Sequence, residues 1–376
     1  MKINRIVAAA SGLALASGGV LASTVGTASA QPVSVAGVRH AVVRTPPGGP
    51  VPRGFRVASV TFVSANDGWV LGTTRTCAHA PCTSVLRTTN GGRSWVGIPA
   101  PKYKVARSGM SAGLQRLRFA NADDGYAYGS QLWVTHNGGS SWHRVRQVSG
   151  YITDLETSAG VVYAASTVTR SGKQEIYSSA VGRDSWKPVK GLPEAAGLGG
   201  VGDITLHGKA GWVILGGGLW ETQNGSHWKK APFACPPHYG IDGVGAFTAR
   251  KITLLCVGDP GAGSTAKLLF ASSDGGTHFA RAGSPPRGGD GGLLAEPAAG
   301  HVFIASASGA TFIYVSTDGG RHWRTAKRLD DGGLGWNDFG FTTATQGVAV
   351  EGTSAFGTTH LWLTRNAGRT WQKVAF

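Results

Sequence analysis

A short segment that ends in an aromatic residue recurs seven times along the chain, and we call it the box. Four copies read Ser/Thr-x-Asn/Asp-Gly/Ala-Gly-x-x-Trp, at residues 88–95, 135–142, 316–323 and 364–371. Three copies are imperfect: 272–279 ends in Phe, 222–228 is one residue short, and 179–186 has Val181 and Arg183 where the acid and a glycine belong. The closing aromatics lie about 46 residues apart on average, a period typical of an array of supersecondary units.

A second landmark precedes the box in most periods. Asp67-Gly68-Trp69 and Asp124-Gly125-Tyr126 each lie between two segments in which apolar residues alternate with polar ones, which indicates a tight hairpin. Similar segments occur at 211–216 and 347–352. Each period therefore reads as strand A, turn, strand B, loop, strand C, box and strand D. Seven such units predict an all-β, seven-bladed β-propeller with four antiparallel strands per blade and the box between strands C and D. An open solenoid would need polar capping ends, which the intact last copy does not provide.

The residue types of the box are those that fix a turn. An Asp or Asn side chain accepts hydrogen bonds from nearby backbone N–H groups, glycine supplies positive φ, and the closing aromatic packs into the sheet. These residues do not form a nucleophile, a base and an orienting group. We therefore assign a structural role to Asn90, Trp95, Asn137, Trp142, Asn224, Trp228, Asp274, Phe279, Asp318, Trp323, Asn366 and Trp371.

The amino terminus has the pattern of a secretory signal. Lys2 and Arg5 precede a weakly apolar stretch, and Ala28-Ser29-Ala30 predicts cleavage between Ala30 and Gln31. We expect residues 1–30 to be the signal peptide, 31–54 to be a Pro-rich linker or a closing strand, and 55–376 to be the propeller. No later segment is apolar enough to cross a membrane, so we expect a secreted protein. We also expect the protein to be a monomer.

Four cysteines in an exported chain favour two disulfides. Sequential pairing, Cys77 with Cys82 and Cys235 with Cys256, is the favoured one of three connectivities. Cys77, His79 and Cys82 alone make a weak metal site, so we predict no metal and no cofactor.

The formal charge of +16 falls to +14 when Lys2 and Arg5 leave with the signal peptide. Export argues against nucleic acid as a partner, so the charge favours an anionic glycan, a cell-wall polymer or another extracytoplasmic protein. Many of the basic residues follow the closing aromatics: Arg144, Arg146, Lys187, Lys229, Lys230, Arg324, Lys327 and Lys373. The favoured interpretation of these residues is an exposed edge strand, where Lys and Arg discourage pairing with another sheet.

The box is similar to the Asp-box, or bacterial neuraminidase repeat. Together with the upstream Gly-Trp hairpin, it most resembles the photosystem II stability/assembly factor-like propellers, over about residues 55–376. The Asp-box propeller superfamily also includes sialidases, xyloglucanases and the sortilin ectodomain. The resemblance therefore implies a fold and not an activity. A sialidase needs an arginine triad and a Tyr–Glu pair. This chain offers only a weak match at Arg44, and none of its six glutamates forms a recognisable pair with a tyrosine.

Function is therefore expected on the face opposite the boxes, where the D-to-A and B–C connections lie. The long connections are 101–115, 232–245, 284–296 and 327–339. Aromatics beside carboxylates suit carbohydrate stacking or a peptide partner, unless they are solvated loop residues around one buried Trp. The candidate ligand-binding residues are Tyr239, Asp242, Asp330, Asp331, Trp336 and Asp338.

The sequence thus favours an exported, non-catalytic binding or scaffolding propeller, and we assign no catalytic residue. The alternative is an exported glycosidase of sialidase or glucanase type. The two differ in whether a pair of carboxylates, roughly 5–10 Å apart, converges in a cleft on the long-loop face.

Overall fold

The computed structural model describes residues 48–74, 82–107, 110–168, 170–193, 195–196, 203–233, 235–352 and 359–376. The expected signal peptide, most of the segment 31–54, and Cys77 and His79 lie outside the described residues. In the described part of the chain, no helix is long and apolar enough to span a membrane.

The described residues form seven antiparallel sheets in chain order, which confirms the predicted propeller. Blades 1 and 2 contain β1 (Arg56–Phe62), β2 (Gly68–Thr73), β3 (Thr83–Thr88), β4 (Val96–Ile98), β5 (Leu114–Phe119), β6 (Asp124–Gly129), β7 (Leu132–His136) and β8 (His143–Val145). Blade 3 contains β9 (Tyr151–Ser158), β10 (Val161–Val168), β11 (Lys173–Ala180) and β12 (Lys187–Pro188), with the short β13 (Ala195–Ala196) also paired to β11. Blade 4 contains β14 (Asp203–His207), β15 (Ala210–Leu215), β16 (Gly218–Thr222) and β17 (Lys229–Lys230).

Blade 5 contains β18 (Tyr239–Ala246), β19 (Ile252–Gly261), β20 (Ser264–Ser272) and β21 (Ala280–Gly283). In blade 6, β22 (Asp290–Ala298) and β24 (Arg324–Gly332) flank the long β23 (His301–Ser316). The first half of β23 pairs with β22 and the second half with β24, with Gly309 at a φ of 69° between them. Blade 7 contains β25 (Trp336–Phe341), β26 (Gly347–Glu351), β27 (His360–Thr364) and β28 (Gln372–Lys373).

The apolar core is divided among the seams between consecutive blades. Seven buried clusters are present, and each joins residues of two neighbouring blades. The first strand of each blade lies nearest the axis and is largely buried, while the fourth is largely exposed. Blade packing therefore buries the inner strands on both faces, as their apolar sequences require.

The closing aromatic of every box lies in the seam with the preceding blade. Trp95 packs between blades 7 and 1, Trp142 between 1 and 2, and Trp186 between 2 and 3. Trp228, Phe279, Trp323 and Trp371 occupy the remaining four seams in order. An aromatic side chain at one position of the repeat thus contributes to all seven interfaces.

The box turn is held by a hydroxyl and an amide or carboxylate. In the second box, Thr135 Oγ1 donates to Asn137 Oδ1 at 2.9 Å and accepts from the Gly139 N–H at 2.9 Å. Asn137 Oδ1 also accepts from the Ser141 N–H at 2.9 Å. The same three bonds recur in boxes 1, 5, 6 and 7. These contacts satisfy backbone groups that strand pairing leaves without partners.

The second glycine of the box is required by space as well as by conformation. Gly139 has a φ of 93°, and a Cβ there would lie 2.6 Å from Cδ1 of Ile98 in the preceding blade. A side chain at this position would therefore force the seam apart. In the seventh box Ala367 takes the place of the first glycine and adopts a φ of 54°.

The carboxyl end of the chain packs against the beginning of the first blade, where blade 7 meets blade 1. The ring of Phe376 lies 5.0 Å from that of Phe55 and 5.7 Å from that of Trp95. Gly49 pairs with Gly97 on the outer strand of blade 1, through N–H···O distances of 2.8 and 2.9 Å. The last residues of the Pro-rich segment thus extend the edge of blade 1.

Cys235 and Cys256 form the predicted disulfide, with a Cα–Cα distance of 5.8 Å. It ties the segment before β18 to β19 of blade 5. Cys82 is also disulfide-bonded, and its expected partner Cys77 lies outside the described residues.

Most basic residues that follow the boxes lie on the fourth strands. Arg144, Lys187, Lys229, Lys230, Arg324 and Lys373 are exposed there, and Lys327 is half-buried. This is the position expected for charges that protect a sheet edge.

We expect Thr135→Val to lower the free energy of unfolding by about 1–3 kcal/mol, because it leaves the buried Gly139 N–H without its acceptor while keeping the side-chain shape. Urea denaturation followed by tryptophan fluorescence measures the change. Thr277→Val in the fifth box is the control, since Thr277 is exposed and makes only one long contact of 3.5 Å. Equal unfolding midpoints for the two variants would contradict a stabilising role for the turn.

Candidate functional site

A cavity of about 380 Å³ opens where the inner strands of blades 5, 6 and 7 begin. Because strands alternate in direction, this end lies opposite the boxes, on the predicted long-loop face. Asp242 and Asp290 line it together with Trp336 and Asn337. The rest of the wall is formed by residues 291–293, 305–307 and 333–335. We call it the acidic cavity. It contains two of the six ligand-binding residues predicted from the sequence, Asp242 and Trp336.

Each aspartate of the acidic cavity is held by a neighbouring element. Asp242 Oδ2 accepts from the Gly292 N–H of blade 6 at 2.8 Å. Asp290 Oδ1 accepts from the Thr265 hydroxyl of blade 5 at 2.8 Å. The two carboxylates are therefore fixed from opposite sides of the same seam, in half-buried positions.

A buried lysine lies behind the two aspartates. Lys267 is 2% exposed, and its Nζ donates to the carbonyl oxygens of Arg287 at 3.0 Å and Gly289 at 2.7 Å, with longer contacts to Thr265 and Gly288. Burial lowers its pKa to about 8, against the opposing attraction of Asp290 and Asp242. The lysine thus anchors the loop that leads into Asp290.

Trp336 lines the cavity but is largely buried. The residue is 7% exposed, and its Nε1–H donates to the Phe312 carbonyl at 2.8 Å. It belongs to the apolar cluster between blades 6 and 7. The sequence left two interpretations of Trp336 open, an aromatic that stacks on a ligand or a buried anchor. Its contacts support the buried anchor.

The other candidate residues lie elsewhere. Tyr239 lines a separate cavity of about 450 Å³ with Trp220, Lys230 and Cys235. Asp330 is exposed and paired with Arg328 at 2.8 Å. Asp331 accepts from the Thr311 hydroxyl at 2.8 Å and from the Gly333 N–H at 3.0 Å. The segment 327–339 is not the long loop that we expected, because β24 extends to Gly332 and β25 begins at Trp336.

Asp338 lies on the axis of the propeller and faces an arginine from another blade. Its carboxylate makes two contacts with the Arg118 guanidinium, at 3.1 and 3.2 Å, and also accepts from the Ser59 hydroxyl at 2.6 Å and the Val60 N–H at 3.1 Å. Both side chains are nearly inaccessible to solvent. This axial ion pair joins blades 2 and 7 across blade 1, so Asp338 is not presented to a ligand.

Further buried carboxylates link the inner strands to one another. Asp154 Oδ2 accepts from the Ile204 N–H of blade 4 at 2.8 Å, and Asp203 Oδ2 accepts from the Val244 N–H of blade 5 at 3.2 Å. Burial, reinforced by the like charge of Asp203, raises the pKa of Asp154. Asp338 and Asp242 make the same kind of bond to the next blade. These acids serve the assembly of the ring.

A third cavity, of about 290 Å³, lies at the box end of the axis between blades 1, 2 and 3. Arg118 and Glu156 line it, with Arg118 Nε 3.9 Å from Glu156 Oε1. Sequence reasoning missed Arg118, Glu156 and Lys267. The only sign of them in the sequence was that each is a charged residue within a strand, at a position where the alternation of side chains predicts burial.

Neither a protein-family model nor a curated protein matches the sequence. The fold, however, is shared with solved structures. YCF48 from Cyanidioschyzon merolae aligns with a TM-score of 0.59 at 17% identity, covering 86% of this chain and 99% of that chain. YCF48 bound to D1 peptide aligns with a TM-score of 0.57 at 17% identity, covering 84% and 95%. A GH74 xyloglucanase from Xanthomonas campestris aligns with a TM-score of 0.44 at 14% identity, covering 84% of this chain and 72% of the xyloglucanase chain. The resemblance to photosystem II assembly factor-like propellers is thus confirmed at the level of fold.

We expect Asp338→Ala to lower the free energy of unfolding by about 3–5 kcal/mol, because it leaves the buried Arg118 guanidinium without its counter-charge. Asp330→Ala is the control: it removes an exposed ion pair and should change stability by less than about 1 kcal/mol. Chemical denaturation of both variants measures the difference. A similar small effect for both would show that the axial ion pair does not hold the ring together.

Proposed function

We propose that this chain is an exported, non-catalytic propeller that binds a protein partner through its long-loop face. In this proposal the acidic cavity receives a cationic side chain of the partner, lysine or arginine. The observation that carries the proposal is the placement of Asp242 and Asp290 in one cavity of about 380 Å³.

The charge of the cavity supports a cationic ligand. Two carboxylates face one buried ammonium, whose donors are directed to backbone carbonyls of the loop behind Asp290. The pKa of Lys267 is lowered to about 8, so the ammonium is mostly protonated at neutral pH and loses its charge as the pH rises above that value. The cavity is therefore a locally negative site on a chain whose formal charge is +16.

A peptide partner is also consistent with one structural neighbour, the YCF48 structure that contains a D1 peptide. An extracytoplasmic location is supported by the signal-like amino terminus and by the disulfide between Cys235 and Cys256. An anionic glycan, the other partner suggested by the overall charge, suits the basic outer strands and not the acidic cavity.

The binding experiment uses the full mature chain and a peptide library of random sequence. We expect enrichment of peptides that contain Lys or Arg, with binding that weakens as salt concentration rises. Asp242→Asn combined with Asp290→Asn should abolish the enrichment. Asparagine keeps an oxygen that can accept from the Gly292 N–H and the Thr265 hydroxyl, so the far-ultraviolet spectrum should stay that of the parent, and the unfolding midpoint verifies that the variant is folded under the assay conditions.

The matched control is Asp330→Asn, which removes a carboxylate that lies on the outer strand of blade 6 and not in the cavity. It should leave peptide selection unchanged. Enrichment of acidic peptides, or selection that survives the double variant, would contradict the proposal.

A glycosidase is the second candidate, because such an enzyme needs two carboxylates in one cleft and Asp242 and Asp290 both line this cavity. Asp330, Asp331 and Asp338, which the sequence offered as candidate ligand-binding residues, are engaged with Arg328, Thr311 and Arg118. We expect no turnover of fluorogenic glycosides, a sialoside included. Hydrolysis that is lost in Asp290→Asn and kept in Asp330→Asn would overturn the non-catalytic proposal.

A further inference from the structure

Two histidines and an aspartate converge at the seam between blades 2 and 3, on the box face. His136 lies in the second box at the end of β7, and His143 begins β8 directly after the closing Trp142. Asp184 comes from the third box, in the next blade. These residues are remote from the acidic cavity in the fold, because they lie near the outer strands at the opposite face.

Both imidazoles approach the same carboxylate oxygen. His136 Nε2 lies 3.0 Å from Asp184 Oδ2, and His143 Nε2 lies 2.6 Å from it. The three atoms all lie within 4.8 Å of one another. The two rings are 5.5 Å apart between centroids. Two nitrogen ligands and one oxygen ligand therefore share one small volume.

A further carboxylate orients the first histidine. Asp124 Oδ1 lies 2.7 Å from His136 Nδ1, and the two residues are directly opposite each other on β6 and β7. Asn121 Nδ2 in turn donates to Asp124 Oδ2 at 2.8 Å. With Nδ1 engaged in this way, the lone pair available for a cation is that of Nε2. A carboxylate behind a ligating imidazole is the common arrangement in protein metal sites.

The aspartate comes from the imperfect copy of the box. In the regular copies the acid or amide accepts from N–H groups of its own turn, whereas here Val181 occupies that position and Ser179 Oγ accepts from the Ser185 N–H at 2.9 Å. Asp184 lies three residues later, at a φ of 47°, and the hydrogen bonds shown for its carboxylate go to the two histidines of the neighbouring blade. The irregularity in the repeat thus accounts for an acid directed across the seam.

We propose that His136, His143 and Asp184 bind a divalent transition-metal ion, with Zn²⁺ as the ion tested, and that Asp124 positions His136. Two imidazoles and one carboxylate form a ligand set that suits Zn²⁺, whereas Ca²⁺ and Mg²⁺ prefer oxygen ligands alone. The site departs from our expectation that the chain has no metal site, which considered only Cys77, His79 and Cys82. It is independent of the proposed peptide binding.

The three ligand atoms, all within 4.8 Å of one another, must adjust to the spacing of a zinc site. Ligand atoms around a tetrahedral zinc at about 2.0–2.1 Å are roughly 3.3 Å apart, so the two nitrogens must each recede slightly from Asp184 Oδ2. His143 is 53% exposed at its side chain and His136 is 33% exposed, which leaves room for this movement and for water as the fourth ligand. A bound ion would link the second and third blades at the imperfect box.

The experiment is isothermal titration of Zn²⁺ into the full mature chain, stripped with chelator and free of any histidine tag. We expect one saturable site, a higher melting temperature with Zn²⁺, and visible absorption bands when Co²⁺ replaces it. His143→Ala and Asp184→Asn should lose the site, and Asp124→Asn should weaken it by about 10–100-fold.

The matched control is His322→Ala. His322 has the same 2.6 Å contact with an aspartate, Asp318 of its own box, and its side chain is 90% exposed. This variant should bind Zn²⁺ as the parent does. Because His143 is exposed, its replacement should leave the fold intact, and the unfolding midpoint without metal verifies this. Absence of saturable binding by the parent, or unchanged binding by His143→Ala, would overturn the proposal.

Discussion

The packing of one aromatic ring into each seam between blades is the interaction on which this structure depends. The ring can occupy that seam only because the turn before it is fixed by a hydroxyl and an amide or carboxylate. The apolar core is accordingly distributed over seven interfaces. Each blade alone would expose both of its apolar faces, so neighbouring blades must stabilise one another and the ring must close.

Closure concentrates polar groups at the axis, where the inner strands present their backbones to one another. Asp154, Asp203, Asp242 and Asp338 each accept a hydrogen bond from the next blade. The Arg118–Asp338 pair extends across a whole blade. Most of these buried carboxylates therefore hold neighbouring blades together and do not face a ligand. Asp242 does both, because it also lines the acidic cavity together with Asp290.

Departures from the repeat carry the most functional information. A residue that the turn or the seam requires recurs in most copies, whereas one that serves a ligand has no reason to recur. The third box is the least regular, and it directs Asp184 towards two histidines of the adjacent blade. The sequence shows that the third box departs from the repeat. Only the packing of the neighbouring blade shows that Asp184 meets two histidines there.

The sequence by itself determined the number of blades, the strand order and the turn chemistry; it favoured the pairing of Cys235 with Cys256, which the structure contains. These depend on local periodicity and on residue types within one repeat, which a linear reading contains. Only the tertiary structure decided that Asp338 pairs with Arg118, that Trp336 is buried, and that Asp242 and Asp290 share a cavity. The physical reason is that the partners in these contacts come from different blades, and bulges in the inner strands change which side chains face the axis.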